Sequence, residues 1–175
     1  NGNISETLWR TTNTYYNGNK ARGYSYKYDA LNRITSAGFK IKYSSSSAYV
    51  DQNYGNFNLK SAAYDKNGNI ERLIRSGDFY SAEIDNLTYD YDIGNKLMAV
   101  RDDGATYYNL KNKGFQDGNT SGNDYDYDDN GNLTQDLNKG ISLIEYNHLD
   151  LPTKVHFGTS KRIEYLYTAG GQKIE

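Results

Sequence analysis

Several short stretches of the chain alternate aromatic or apolar residues with polar ones. Tyr24–Tyr28, Leu87–Tyr91 and Tyr125–Tyr127 are the clearest examples. Because successive side chains of a β-strand point to opposite faces, this alternation predicts half-buried strands with their tyrosines on one face. No segment combines helical periodicity with helix caps. The pattern therefore predicts an all-β chain.

Each alternating stretch ends in a recurring turn motif. The motif reads Tyr-Asp, a short turn that usually carries Gly-Asn, and an apolar residue that begins the return strand. The copy at Tyr91 is one residue shorter before its glycine, and the copy at Tyr146 is degenerate. The six copies are Tyr28–Ile34, Tyr64–Ile70, Tyr91–Leu97, Tyr127–Leu133, Tyr146–Pro152 and Tyr167–Ile174, and Asn1–Ile4 is the latter half of another.

The spacing and the residue types of the motif indicate stacked hairpins. The motif tyrosines lie 36, 27, 36, 19 and 21 residues apart, a recurrence typical of supersecondary units that share a continuous core. The aspartate can accept nearby backbone N–H groups, and Asn-Gly tolerates positive φ, which we expect at Gly68 and Gly131. The residues assigned this structural role are Tyr28, Asp29, Tyr64, Asp65, Gly68, Asn69, Tyr91, Asp92, Gly94, Asn95, Tyr127, Asp128, Gly131, Asn132, Tyr146, Tyr167 and Gly171.

The repeated Tyr-Asp-x-x-Gly-Asn unit resembles the YD repeat of RHS proteins over essentially the whole chain. Leu87–Val100, Tyr125–Thr134, Tyr146–Val155 and the terminal Gly-Gln-Lys-Ile follow in the order seen in RHS proteins of Bacteroidetes-like bacteria. The Asp-Pro signature of that family's self-cleaving core element is absent, because the single proline, Pro152, follows Leu151. The chain therefore resembles the segment just upstream of the core element.

The resemblance implies both a fold and a function. Consecutive antiparallel β-hairpins would form a curved, spiralling sheet, part of an RHS-type β-shell, with residues 1–175 as one YD-repeat domain of a larger protein. In polymorphic toxins of this family the shell holds a variable C-terminal toxin. The implied role is a non-catalytic wall segment of a bacterial secreted or cell-surface protein, whose partners are the rest of the shell and its cargo. The alternative is a carbohydrate-binding or adhesive module with a glycan as partner.

Composition narrows the partners. The 175 residues include 19 tyrosines and no cysteine, and hydrophobic residues make up 36%. Tyrosine suits half-buried sheet faces because its ring is apolar and its tip polar. The net charge of −2 is spread without a basic block, so nucleic acid is not an expected partner. No apolar run reaches membrane-spanning length, so membrane insertion is not expected either.

Neither a metal, a cofactor nor a catalytic residue is predicted. Asp65, Asn67 and Asn69 alternate like the start of a calcium loop, as do the residues from Asp128. That loop needs glycine at its sixth position and glutamate at its twelfth, whereas glycine is fourth here and the twelfth residues are Ser76 and Lys139. His148 and His156 accompany no nucleophile motif.

Two expectations concern surfaces. Buried rings at Tyr26, Tyr89 and Tyr165 would favour the wall, and a solvent-facing aromatic row would favour glycan binding. Because the chain begins and ends inside motif copies, we also expect an open, curved sheet with at least one unpaired edge. We expect the 175 residues to self-associate through such an edge strand or through an exposed face lined by tyrosines.

Overall fold

The computed structural model describes residues 2–10, 21–42, 48, 50–51, 55–78, 82–104 and 113–175. These residues form antiparallel β-strands, one 3₁₀ turn at Leu137–Lys139 and no α-helix, which confirms the all-β class. The strands are β1 Glu6–Arg10, β2 Ala21–Tyr28, β3 Ile34–Lys42, β4 Val50–Asp51, β5 Leu59–Tyr64, β6 Ile70–Ser76, β7 Glu83–Tyr91, β8 Leu97–Asp102, β9 Tyr125–Tyr127, β10 Leu133–Asp136, β11 Ile141–Tyr146, β12 Pro152–Phe157 and β13 Lys161–Glu164.

The strands form two open sheets, and the chain divides into two compact units. The first sheet has the order β1-β2-β3-β5-β6-β7-β8, with β4 paired to β3, and the second has the order β13-β12-β11-β10-β9. One unit comprises Asn1–Thr88 with Asp102–Phe115, and the other comprises Tyr89–Arg101 with Gln116–Glu175. Sheet neighbours are mostly chain neighbours, as expected when tight turns connect the strands.

The motif tyrosines mark the strand ends, as the sequence predicted. Five of them are the last residues of β2, β5, β7, β9 and β11, and the residue six positions later begins the next strand. At the last copy an isolated bridge between Tyr167 and Lys173 takes the place of a strand pair. Most of these hairpins also contain a register shift beside the tyrosine, as between Ala63 and Tyr64.

The core of the first unit is thin. Along β3, Ala37, Phe39 and Ile41 are buried in alternation with half-buried neighbours, as the period of a strand requires. The Phe39 ring contacts Trp9, Tyr24 and Phe57, with centroid distances of 6.4, 5.4 and 5.5 Å.

The second unit buries acidic side chains beside apolar ones. Ala99 and Val100 of β8 are buried, and so are Asp124 and Asp136, which are 0% and 1% exposed. Burial of a carboxylate is costly unless it is hydrogen-bonded, so these two aspartates need partners.

Candidate functional site

All six motif copies adopt one hydrogen-bonded turn. The N–H of the residue after the tyrosine donates to a carbonyl four residues later, as from Asp65 to Asn69 at 2.9 Å. Three residues after Asp65, the N–H of Gly68 donates back to the Asp65 carbonyl at 3.3 Å. The same pair of bonds occurs in the turns that follow Tyr28, Tyr91, Tyr127, Tyr146 and Tyr167.

One position of this turn has positive φ in every copy. It lies four residues after the tyrosine, and the predicted values at Gly68 and Gly131 are confirmed at 97° and 87°. In the copy at Tyr91 the left-handed residue is Asn95, at 64°, so the predicted role of Gly94 belongs to its neighbour. This copy is therefore not shortened, because asparagine tolerates the left-handed conformation better than most residues. The remaining values are 64° at Asn32, 57° at Asp150 and 84° at Gly171.

The aspartate side chain closes the turn. Asp65 Oδ1 accepts from the Asn69 N–H, and Oδ2 accepts from Asn69 Nδ2, both at 2.8 Å. Asp128 and Asn132 repeat both bonds, at 2.8 and 3.0 Å. In the degenerate copies the acceptor is Asn147 Oδ1 or Thr168 Oγ1, which receives a backbone N–H at the same offset.

These hydrogen bonds favour the ionised carboxylates. The side-chain bond from Asn132 and the nearby backbone N–H groups hold the pKa of Asp128 below its ordinary value of 3.8. The Arg33 N–H, with the Arg33 guanidinium, lowers the pKa of Asp29 in the same way. At Asp65 desolvation is the largest effect and opposes the shift, yet the bonds from Asn69 leave the pKa lowered.

Five of the six motif tyrosines reach back along the chain with their hydroxyl groups. The Tyr64 hydroxyl donates to the carbonyl of Ile34 at 2.8 Å, and the Tyr127 hydroxyl donates to that of Leu97 at 2.8 Å. Where a motif tyrosine precedes the contact in the sequence, the acceptor is the residue six positions after that tyrosine. The other bonds of this set join Tyr28 to Ile4, Tyr146 to Leu133 and Tyr167 to Pro152, at 2.7, 2.8 and 3.0 Å.

Two cations strengthen the same contact. The Arg33 guanidinium lies 4.5 Å from the centroid of the Tyr64 ring, and its NH1 donates to the Asp65 carbonyl at 3.1 Å. Lys96 Nζ lies 5.5 Å from the centroid of the Tyr127 ring. Both cations lie five residues after the preceding motif tyrosine, so the last turn position packs on the next tyrosine through a cation–π contact.

Three buried aspartates were missed by the sequence interpretation. Asp85 is 0% exposed, and its carboxylate accepts from the Phe115 N–H at 2.6 Å and from the Arg75 guanidinium at 2.5 Å. Asp85 alternates with buried Leu87 on β7, and a polar residue at such an inward position is the signal that could have revealed it.

Asp124 and Asp136 are satisfied in the second unit. Asp124 accepts from the Val100 N–H at 2.7 Å, from Arg101 NH1 at 2.9 Å and from Asn119 Nδ2 at 2.9 Å. Desolvation raises the pKa of Asp124, but these hydrogen bonds outweigh it and the net shift is downward. Asp136 accepts from Lys139 N and Nζ at 3.1 and 2.8 Å and so caps the 3₁₀ turn.

A cavity of about 470 Å³ lies beside the aromatic cluster of the first unit. Tyr24, Tyr26 and Phe57 provide aromatic walls, and Arg75, Asp78 and Lys113 provide charged groups. Tyr24 and Tyr26 stack with centroids 6.3 Å apart. Tyr26, Tyr89 and Tyr165 are all half-buried. The burial of these rings therefore does not distinguish a wall segment from a glycan-binding surface.

The two histidines do not enter this cavity lining. His156 Nε2 lies 2.7 Å from Glu145 Oε1 across β11 and β12, and this contact is the main cause that lowers the pKa of Glu145. His148 is exposed in the turn after Tyr146. The part of the chain that the structure describes contains no group of three metal-ligating residues and no helix long and apolar enough to cross a membrane.

Comparison with known proteins adds no identification. No protein-family model and no curated protein matches the chain.

Proposed function

We propose that this chain is a non-catalytic wall segment of an RHS-type YD-repeat shell. In its parent protein the wall would enclose or present a C-terminal toxin at the surface of, or outside, a bacterial cell. The partners in this proposal are the remaining hairpins of the shell and the cargo, and the segment itself uses no cofactor.

The observation that carries the proposal is the tyrosine contact between successive hairpins. Tyr64 and Tyr127 each use their hydroxyl to hold a backbone carbonyl of the hairpin before them. Such a contact links each hairpin to the one before it and can be repeated along a chain of any length, which is what a wall requires. The buried aspartates also join separate parts of the chain, because Asp85 and Asp124 accept from backbone N–H groups 30 and 24 residues away.

Limited proteolysis of the full-length protein that carries this segment tests the proposal. We expect the polypeptide that follows the shell to survive protease concentrations that degrade the same polypeptide expressed alone. Equal rates of degradation would contradict an enclosing wall. The control is a full-length variant with a protease site introduced at Ile93, an exposed turn residue, which reports whether the protease reaches the shell.

The alternative of a carbohydrate-binding or adhesive surface is favoured by one observation. Trp9 is 37% exposed and stacks on Tyr24 with ring centroids 5.9 Å apart and an angle of 22°. An exposed indole supported by a half-buried ring can stack on a sugar ring. Glycan-array binding that is lost in Trp9→Ala but retained in Ile93→Ala would support this alternative, and binding unaffected by Trp9→Ala would exclude this surface.

A further inference from the structure

We propose that the cavity beside the aromatic cluster binds a small carboxylate with a flat apolar body, such as an arylacetate. The cavity is part of the first unit alone, and the inference is independent of the wall function. Its volume of about 470 Å³ is within the range of small-molecule sites.

The loop that carries Phe57 is held in a strained conformation that presents an aromatic ring. Phe57 has φ of 58°, a conformation that is unfavourable for a bulky residue, and its side chain is 47% exposed. Its N–H donates to the Gly77 carbonyl at 2.9 Å, and its carbonyl accepts from the Tyr24 hydroxyl at 2.8 Å. Strain of this kind persists where the surrounding structure imposes it, and it is enriched at binding sites.

Three polar groups of the lining residues can donate a hydrogen bond. Asn58 Oδ1 is occupied by the Phe39 N–H at 2.7 Å, which leaves the Nδ2 group. Arg75 Nε and NH2 both donate to the Asp85 carboxylate, and NH1 is left without a partner. Within the described part of the chain these two groups and the Tyr26 hydroxyl have no hydrogen-bond partner.

The remaining charges in the lining cancel. Lys113 Nζ contacts both oxygens of Asp78 at 2.9 Å, so this carboxylate does not repel an anion strongly. The Arg75 side chain is 49% exposed although its Asp85 partner is 0% exposed, so its outer face is turned away from that carboxylate. A guanidinium can serve two carboxylates through different N–H groups, and aromatic walls with convergent donors therefore complement an aryl carboxylate.

Calorimetric or NMR titration of the 175-residue protein with four probes tests this assignment. The probes are phenylacetate, its neutral isostere phenylacetamide, acetate as an anion without a ring, and N-acetylglucosamine as a neutral sugar. We expect phenylacetate to bind with a Kd of about 1 mM, the affinity that a ligand of this size reaches at ordinary ligand efficiency. The other three should bind about tenfold more weakly or not at all. Equal binding of the amide, tighter binding of the sugar, or no binding of phenylacetate would overturn the proposal.

Variants separate binding from folding. Phe57→Gly relieves the left-handed strain but also removes the ring that contacts Phe39, so the two opposing effects should leave the Tm near that of the wild type while phenylacetate binds at least about tenfold more weakly. Tyr26→Phe and Arg75→Lys each remove a donor and should weaken phenylacetate more than phenylacetamide. The matched control is Tyr165→Phe, which lies outside the cavity and should leave the Kd unchanged. Unchanged binding in Phe57→Gly and Tyr26→Phe would show that the ligand binds elsewhere.

Discussion

At the scale of single residues, the turn is specified by two positions. The residue after the tyrosine supplies a side-chain acceptor, and the residue three positions further adopts positive φ. The positive φ at Gly68 and Gly131 could be predicted from the sequence, because glycine is the residue that most readily adopts it. The prediction failed at Asn95, because the adjacent Gly94 attracted the assignment although asparagine can also adopt the left-handed conformation.

Replacement of glycine should destabilise the fold more at Gly68 than at Gly94. Gly68→Ala places a Cβ on a residue with φ of 97° and should lower the free energy of unfolding by about 1–2 kcal/mol. Gly94→Ala is the matched control, since Gly94 lies outside the left-handed region, and its effect should be clearly smaller. Urea unfolding of both variants measures the difference. Equal losses would contradict the placement of the left-handed residue at Asn95.

The turn carboxylates should make stability depend on acidic pH. The folded pKa of Asp128 is lower than its ordinary value of 3.8, so its ionised form stabilises the fold above that value. This contribution is lost as the pH falls from about 3.8 through the lowered folded pKa. Wild-type Tm should therefore decline across this window.

Asp128→Asn isolates this contribution. The amide retains an oxygen for the Asn132 N–H, as Asn147 does naturally in its own turn, but it cannot ionise. The variant should have a lower Tm than the wild type at neutral pH, and the difference should shrink as the pH falls below the folded pKa. A difference that is constant with pH would contradict the charge effect. Thermal denaturation by circular dichroism over a pH series measures it.

At the scale of elements, the period-two pattern predicted where strands end, because both the alternation and the turn are local. The strand ends at Tyr28, Tyr64, Tyr91, Tyr127 and Tyr146 all agree with it. A wall of hairpins held together by the motif tyrosines was expected, but the hydroxyl bonds to backbone carbonyls that five of them make were not predicted. The acceptor is defined by which hairpins are neighbours, and a carbonyl acceptor leaves no trace in residue type.

The hydroxyl group of a motif tyrosine should contribute to the free energy of unfolding through its hydrogen bond. Tyr127→Phe keeps the ring under Lys96 but leaves the Leu97 carbonyl without its 2.8 Å donor. We expect a loss of about 1 kcal/mol in the free energy of unfolding. Tyr165→Phe is the control, because the Lys173 contact of Tyr165, 3.9 Å from the ring centroid, does not need the hydroxyl. Chemical denaturation that ranks the two variants equally would contradict the linking role.

At the scale of the whole molecule, amino-acid composition predicted the burial of the tyrosines but not that of the aspartates. The abundance of tyrosine predicted half-buried sheet faces, and the described motif tyrosines are half-buried. Charged residues were treated as turn or surface positions, so the burial of Asp85, Asp124 and Asp136 was not foreseen. Partners that make their burial possible, such as the Phe115 N–H for Asp85 and the Val100 N–H for Asp124, come from distant parts of the sequence. The cavity depends on the same long-range packing.

The open edges should cause self-association. Among the described residues, the end strands are β1 and β8 in the first sheet and β13 and β9 in the second, and all residues of β1 and β13 are exposed. An exposed end strand presents unpaired backbone N–H and C=O groups to another chain, and Ile163, 45% exposed on β13, adds apolar surface. We therefore expect the apparent mass from light scattering to rise with protein concentration.

A charge on the edge should oppose this association. Ile163→Lys places a cation in β13, the device by which natural edge strands avoid pairing, so the rise in mass with concentration should be reduced. Ile93→Lys makes the same change at a fully exposed turn residue outside β1 and β13 and should leave the rise unaltered. A monomer at every concentration would contradict the prediction for the wild type, and equal effects of the two lysines would show that net charge rather than the β13 edge controls the association. Reduced association in Ile163→Lys alone would identify β13 as the edge through which two copies of this chain pair.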